Sequence, residues 1–312
     1  MTRIVPNFGN LKPGGVDAQS FTPNNIEQFG MIGKVAYQII REVVAKNPLS
    51  SFDFIPVDNG DTIEESIVKL VESQAYDQSG SHALVPDTTV KMAVRYYKNW
   101  IRKKFPTTVN ISELRKALTS EKSAEEVAKN IVAVLSQSDI YDKFLDVKAL
   151  LAYGKTAGSA SDGTNSVFIH GTDQTVTNKD YSDVIKYIKD TCDGFDFVSA
   201  NYNRAGILRR NDKSDIRILM PYTLKNAIDV DTLTGYFNLN KGEIDQVIIP
   251  LDTTDNTVYI VDKMAVQVVT RLYEMMDQKN SDAGTWNYFL HVERQYILCE
   301  LFNGVYFDVT VQ

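Results

Sequence analysis

The sequence predicts an α+β protein, and three observations carry that reading. The stretch from Ser123 to Tyr153 repeats apolar residues at helical spacing for longer than any other part of the chain. Near the end, Met264 to Leu272 and Trp286 to Val292 alternate at period two across the turn-rich QKNSDAGT, which predicts two long antiparallel strands. Between these, residues 154–263 mix short strands with helical patterns, as a separate α/β lobe would.

Taken in order, residues 1–25 are rich in Gly, Pro, Asn and Thr without a period and read as an extended arm. Ile32, Val35, Ala36, Ile39, Ile40 and Val43 predict a helix that stops before Pro48. Thr62 with Glu65 has the form of a capping box and predicts a short helix within 61–77, with Ile67, Leu70 and Val71 on one face. A loop-like stretch leads into VKMAVRYYKNWIRKKFPTTVNI, whose β-branched and aromatic content predicts an extended hairpin or, around Tyr96, a short helix. Ser123 with Glu126 starts the long helix, and GKTAGSASDGTNS after it reads as a hinge. Tyr181, Val184, Ile185 and Ile188 predict a further helix, and Asp215 to Met220 a strand. Residues 246–251 and 257–262 predict a hairpin across DTTDN, and Gly304 turns the chain into a last strand, Val305 to Val311.

The totals limit the function classes. The 312 residues are 43% hydrophobic and 23% charged, ordinary for a globular protein with a sizeable core. No run is apolar enough for a membrane span, and the first twenty residues lack a signal-peptide pattern. Cys192 and Cys299 are far apart and cannot build a disulfide framework. A net charge of −7 disfavours nucleic-acid binding by the body as a whole.

No chemistry stands out. Gly154-Lys155-Thr156 resembles the end of a phosphate loop, but Ala149 occupies the place of the first glycine and a helix precedes where a strand is required. His82, His170 and His291 are scattered without a second ligand at helical spacing. Both cysteines sit in apolar patterns, as small core residues do. Asp58, Asp61, Glu64 and Glu65 lack the alternate spacing of a calcium loop. The expected catalytic, cofactor and metal residues are therefore none. An acid pair assembled in space would make an enzyme without leaving such a trace.

One local contrast remains. Between Asp87 and Glu113 there are six basic residues and no acid, with aromatics interleaved. Lys91, Arg95, Lys98, Trp100, Arg102, Lys103 and Lys104 suit single-stranded nucleic acid, with cations on phosphate and rings on bases. They equally suit a protruding segment that docks on an acidic neighbour, where aromatics anchor and rim charge sets register. The acid surplus elsewhere favours docking. On that reading, replacing Arg102, Lys103 and Lys104 with Glu leaves the subunit folded and impairs association.

The order of parts resembles the tailed-phage major capsid protein of the Hong Kong 97 type, closest to those of small short-tailed phages. The stretches carrying the resemblance are FPTTVNISELRKALTSEKSAEEVAKNIVAVLSQSDIYDKF, LMPYTLKNAIDVDTLTGYFN and YFLHVERQYILCELFNGVYFDV. The resemblance implies an N-terminal arm with first helix over 1–60 and an extended loop over 78–112. It implies a peripheral domain from 113–153 and 264–312, with the long helix as its spine, and an axial domain over 154–263. It further implies a non-enzymatic subunit of the virion capsid, assembled in the bacterial cytoplasm from pentamers and hexamers. Its partners would be itself, a separate scaffold protein, a portal, and packaged double-stranded DNA held without sequence specificity; no membrane is involved. A tail-tube or portal subunit is the nearest alternative, and a nucleic-acid-binding protein using 91–104 the next. No Lys–Asn pair for covalent crosslinking is evident. Residues 1–25 and 78–112 are expected to become ordered only on assembly.

Overall fold

The computed structural model describes residues 45–57, 60–71, 73, 91–110, 121–156, 166–236 and 246–312. The expected arm, the helix between Ile32 and Val43, the loop residues 78–90 and 111–112, and the hinge residues 157–165 lie outside them. The described residues form two compact units. One holds those of Pro106–Ser136 and Met276–Phe289, the other those of Val44–Phe105, Gln137–Met275 and Leu290–Gln312.

The element order begins β1 (Ile63–Val68), β2 (Met92–Tyr97), β3 (Ile101–Val109) and α1 (Glu121–Thr156). It continues with β4 (Ile169–His170), β5 (Gln174–Val176), α2 (Ser182–Asp196), β6 (Ile216–Pro221) and α3 (Tyr222–Tyr236). The last strands are β7 (Val247–Leu251), β8 (Thr257–Asp262), β9 (Val266–Asn280), β10 (Thr285–Leu298) and β11 (Gly304–Val311). The long helix, the two long strands and the final strand are where the patterns place them. The helix runs slightly further at both ends than Ser123–Tyr153.

The larger unit is built on a six-stranded sheet ordered β4-β11-β8-β6-β7, with β5 also on β11. Period two divides each central strand between two cores. Ile216, Ile218 and Met220 of β6, with Val258 and Ile260 of β8, pack with Val184, Ile188, Cys192 and Phe195 of α2. The alternate residues Leu219, Tyr259 and Val261 face Phe144, Val147 and Leu151 of α1 and Val266 and Val268 of β9. This explains a correction. Residues 246–251 and 257–262 are strands, but not a hairpin: β7 pairs parallel with β6, and β8 pairs antiparallel with the other side of β6. All six residues of β8 are buried, and five of the six in β6, so these two take central places while half-exposed β7 takes the edge. β11 lies in this sheet too, which joins residues 304–311 to the lobe that sequence order separates from them.

Two more expectations change. The short helix within 61–77 is strand β1, paired antiparallel with β2 from Ile63↔Tyr97 to Val68↔Met92. Its burial alternates strictly, and Glu65, in place of capping a helix, accepts hydrogen bonds from Tyr97 Oη (3.3 Å) and Gln267 Nε2 (3.2 Å). Cross-strand pairing outweighs a weak local helix signal because β-branched Ile63, Ile67 and Val68 suit a pleated surface. Nor do the basic residues form one hairpin: β2 pairs with β1, and β3 with β10 in the sheet β3-β10-β9.

The GKT motif closes α1, and its glycine has a packing role. The ring of fully buried Phe168 lies against Gly154 and Gly304. A Cβ at Gly154 would meet Phe168 Cδ2 at 2.8 Å, and one at Gly304 would meet Cδ1 at 2.5 Å. Gly154→Ala or Gly304→Ala is expected to cost about 1–3 kcal/mol through overpacking. Urea unfolding checks this, and wild-type midpoints for both variants would contradict it.

In the smaller unit, Asn280 Oδ1 accepts the backbone N–H groups of Asp282 (3.1 Å) and Ala283 (3.3 Å), and Gly284 has φ +64°. This Asx-type turn is what joins two long strands at QKNSDAGT.

Candidate functional site

The basic residues of β2 and β3 lie in the larger unit, where most meet carboxylates of their own chain. Period two turns Ile63, Ile67, Ala93 and Tyr97 toward the core under the β1–β2 ribbon. On the same face Arg95 Nη2 reaches Glu300 Oε2 at 2.5 Å, with both side chains partly solvated. Tyr97 sits beside Cys299: burial first, then each other's proximity and that of Glu65, pushes the Tyr97 phenol well above its ordinary value. Burial likewise pushes the Cys299 thiol up to about 12.

The indole Nε1 of Trp100 donates to the Asp61 carbonyl at 2.9 Å, and the Arg271 guanidinium stacks 4.5 Å from the ring centroid. Arg271 also binds Glu293 through two nitrogens (2.6 and 3.0 Å) and Asp61 at 2.7 Å. Arg102 Nε adds a third charged contact to Glu293 at 2.7 Å. Glu293 is only 5% exposed. The Arg271 hydrogen bonds first, helped by Arg102 and opposed by burial, hold its carboxyl below the ordinary range.

Lys103 Nζ donates to Asp142 (2.5 Å) and Asp146 (2.6 Å) on α1, and Tyr296 Oη donates to Asp146 at 2.6 Å. Burial pulls the Lys103 ammonium down, but the two carboxylates outweigh it and raise it. Next along β10, Arg294 holds Asp139 through two parallel hydrogen bonds of 2.5 and 2.6 Å, both side chains under 10% exposed. Lys91 and Lys98, just beyond the two ends of β2, and Lys104 on β3 are exposed.

This seam revises one expectation. Arg102→Glu would set a second carboxylate against buried Glu293, and Lys103→Glu would face Asp142 and Asp146. The triple reversal therefore attacks the subunit's own fold as well as any docking. The carboxylate side of the seam was missed in the sequence. Asp139, Asp142 and Asp146 stand at i, i+3 and i+7, one helix face, and that spacing was the available signal. Nothing local marks Glu293 or Arg271.

A pH dependence follows. A depressed carboxyl stabilises the fold above its unfolded pKa, and that stabilisation is lost as pH falls through the folded value. Stability is expected to decline from the ordinary glutamate value of 4.5 downward as Glu293 takes up its proton. Glu293→Gln is expected to be less stable at pH 7 and to decline less on acidification. Parallel melting-temperature curves for the two proteins between pH 7 and 3 would sink the assignment.

For catalysis the described residues offer little. His170 pairs with Asp173 at 3.1 Å and lies 4.9 Å from the Tyr306 ring, in an exposed position. Burial pushes the Cys192 thiol up to about 12, so neither cysteine is a thiolate at neutral pH. His82 lies outside the described residues. Among the described residues no group of three His, Cys, Asp or Glu side chains could hold a metal, and no helix is long and apolar enough to cross a membrane.

Similarity to known proteins points to structure rather than chemistry. The chain is 22% identical over 277 residues to the major capsid protein of Bacillus phage GA-1, covering 84% of this chain and 56% of that one. It is 20% identical over 283 residues to the major capsid protein of Bacillus phage PZA, covering 89% and 62%. It thus spans little more than half the length of these relatives. Its fold matches a chain of the capsid of Staphylococcus phage Andhra at a TM-score of 0.72, with 14% identity and 89% and 88% of the two chains covered. The Hong Kong 97-type capsid fold expected from the order of parts is the fold found. A match to the family described as Phi29-like phage major capsid protein runs from residue 16 to residue 308, through all three described helices and into the last strand, and the chain belongs to that family.

Proposed function

We propose that copies of this chain assemble, through pentamers and hexamers, into the icosahedral shell enclosing the double-stranded DNA genome of a tailed phage. Assembly would take place in the host cytoplasm, with a separate scaffold protein and a portal as further partners and DNA held without sequence preference. The family match over residues 16–308 carries this reading. The role is structural, a reading that the family match supports. Residues 113–153 and 264–303 are assigned to the peripheral domain and 154–263, joined by β11, to the axial domain.

The segment 91–104 is proposed to face a neighbouring subunit. Arg95, Trp100, Arg102 and Lys103 would set its course, while exposed Lys91, Lys98 and Lys104 would lie at the contact's rim. The carboxylate pairing of Arg95, Arg102 and Lys103 also counts against the nucleic-acid reading, because cations bound to carboxylates offer phosphate little. Expression and negative-stain microscopy test the proposal. Closed, regular particles are expected. A monomer that binds oligonucleotide with steep salt dependence would overturn it.

A further inference from the structure

We propose that Asn303–Gly304 is a deamidation site that folding shuts off, so that a chain left unfolded converts to a form barred from the native structure. This holds whether or not the chain builds a shell. The sequence contains two Asn-Gly pairs, Asn59–Gly60 and Asn303–Gly304. In such a pair no side chain shields the glycine nitrogen, which is free to attack the asparagine side-chain carbonyl. The Gly304 N–H gives its proton to a solvent base, its nitrogen bonds to Asn303 Cγ, and the Cγ–Nδ2 bond breaks. The amide nitrogen takes a solvent proton and leaves as ammonia. Water then opens the cyclic imide at either carbonyl and leaves aspartate or isoaspartate, with no change of oxidation state.

The fold holds both reacting groups apart. The Gly304 N–H donates to the Tyr202 carbonyl at 2.8 Å, and the Asn303 carbonyl accepts the Asp262 N–H at 2.9 Å. The Asn303 side chain is fully buried. Its Nδ2 donates to Asn211 Oδ1 at 2.7 Å, and its Oδ1 accepts from Asn203 Nδ2 at 3.1 Å. Reaction therefore waits on a local opening. The fold also requires the labile pair. Asn303 donates and accepts at once, as a carboxylate cannot, and a Cβ at Gly304 would meet Phe168 Cδ1 at 2.5 Å.

The product does not fit the same site. Asn211 Nδ2 donates to Asp262 Oδ2 at 2.5 Å, which fixes the Asn211 oxygen toward residue 303. A carboxylate at 303 would face that oxygen with no proton to give. It would also add a second negative charge beside Asp262, which is 1% exposed and is met by Arg209 Nη2 at 3.1 Å. A buried charge without its own partner is strongly destabilising. Isoaspartate adds a main-chain atom as well, which displaces Gly304 from its place opposite Val261.

The test ages the full-length chain in mildly alkaline buffer, folded and in guanidinium chloride, and reads residue 303 by peptide mass spectrometry. In denaturant both Asn-Gly pairs are expected to convert to the acid together, with Asn59 as the reference. In the folded subunit conversion at 303 is expected to be slower by ~100-fold or more, because it requires opening. On dilution, fresh chain is expected to regain the near-ultraviolet circular dichroism of the native subunit. Aged chain is expected to lose that signal in proportion to conversion at 303. Asn59→Gln is expected to leave this loss unchanged, which assigns it to 303. Equal rates in folded and unfolded chain, an unreactive 303 in denaturant, or a native spectrum from converted chain would each overturn the proposal. Should fresh chain not refold, Asn303→Asp made directly decides the matter. Insoluble protein or a melting temperature below wild type is expected, and a wild-type melting temperature would refute the proposal.

Discussion

Arg294→Ala is expected to cost about 3–5 kcal/mol of subunit stability, the largest effect of any single substitution proposed for this protein. Arg294 and Asp139 are each less than 10% exposed and meet through two parallel hydrogen bonds. Removing the guanidinium strands a carboxylate in a site closed to water, and it is that stranded charge, more than the lost attraction, that destabilises. The companion variant follows from the same argument. Asp139→Leu with Arg294→Met deletes both charges, leaves nothing unpaired, and is expected to recover most of the loss. Urea unfolding of the two single variants and the double one checks this through their coupling. Additive losses would show that the pair is not a closed unit.

Val134→Pro is expected to be comparably severe. Val134 lies in the interior of α1, whose 36 residues run unbroken from Glu121 to Thr156. Proline there removes one main-chain hydrogen bond and drives its ring against the carbonyl of Asn130, at a cost of about 3 kcal/mol or more. Val134→Ala, which keeps helix propensity, is the control. The proline variant should lose helical signal and yield no particles, while the alanine variant yields both. Normal particles from the proline variant would disprove a continuous helix with a role in assembly.

How much of this was written in the chain depends on the range over which each feature is encoded. The helix around Ile131 to Leu151, the strand Ile216–Pro221 and the paired long strands joined at QKNSDAGT are properties of contiguous residues, so their periods were readable directly. The same holds for the exclusion of a phosphate loop at Gly154, because the missing glycine and the preceding helix are both local. The reason for that glycine was not local: it makes room for Phe168, which reaches it only after the chain has folded back.

Partnership was decided by the tertiary structure alone. Strands 246–251 and 257–262 are neighbours in sequence across a turn, yet β6 comes between them. Both edges of β6 need a hydrogen-bonding partner strand, and no period records which segment will pair with which. Thr62 to Glu65 carries a helix start signal weaker than the pairing that Met92–Tyr97 offers across six residues, so the longer-range contact wins. The basic residues show the same limit. Their number and spacing were plain in the sequence, but charge acts through space. Only the fold brings Arg102 to Glu293 and Lys103 to Asp142 and Asp146, converting a cluster that reads as a free surface into a seam satisfied within the subunit. What the seam leaves outward is the apolar row Val68, Met92, Val94 and Tyr96, visible only once the register of β1 on β2 separates the two faces.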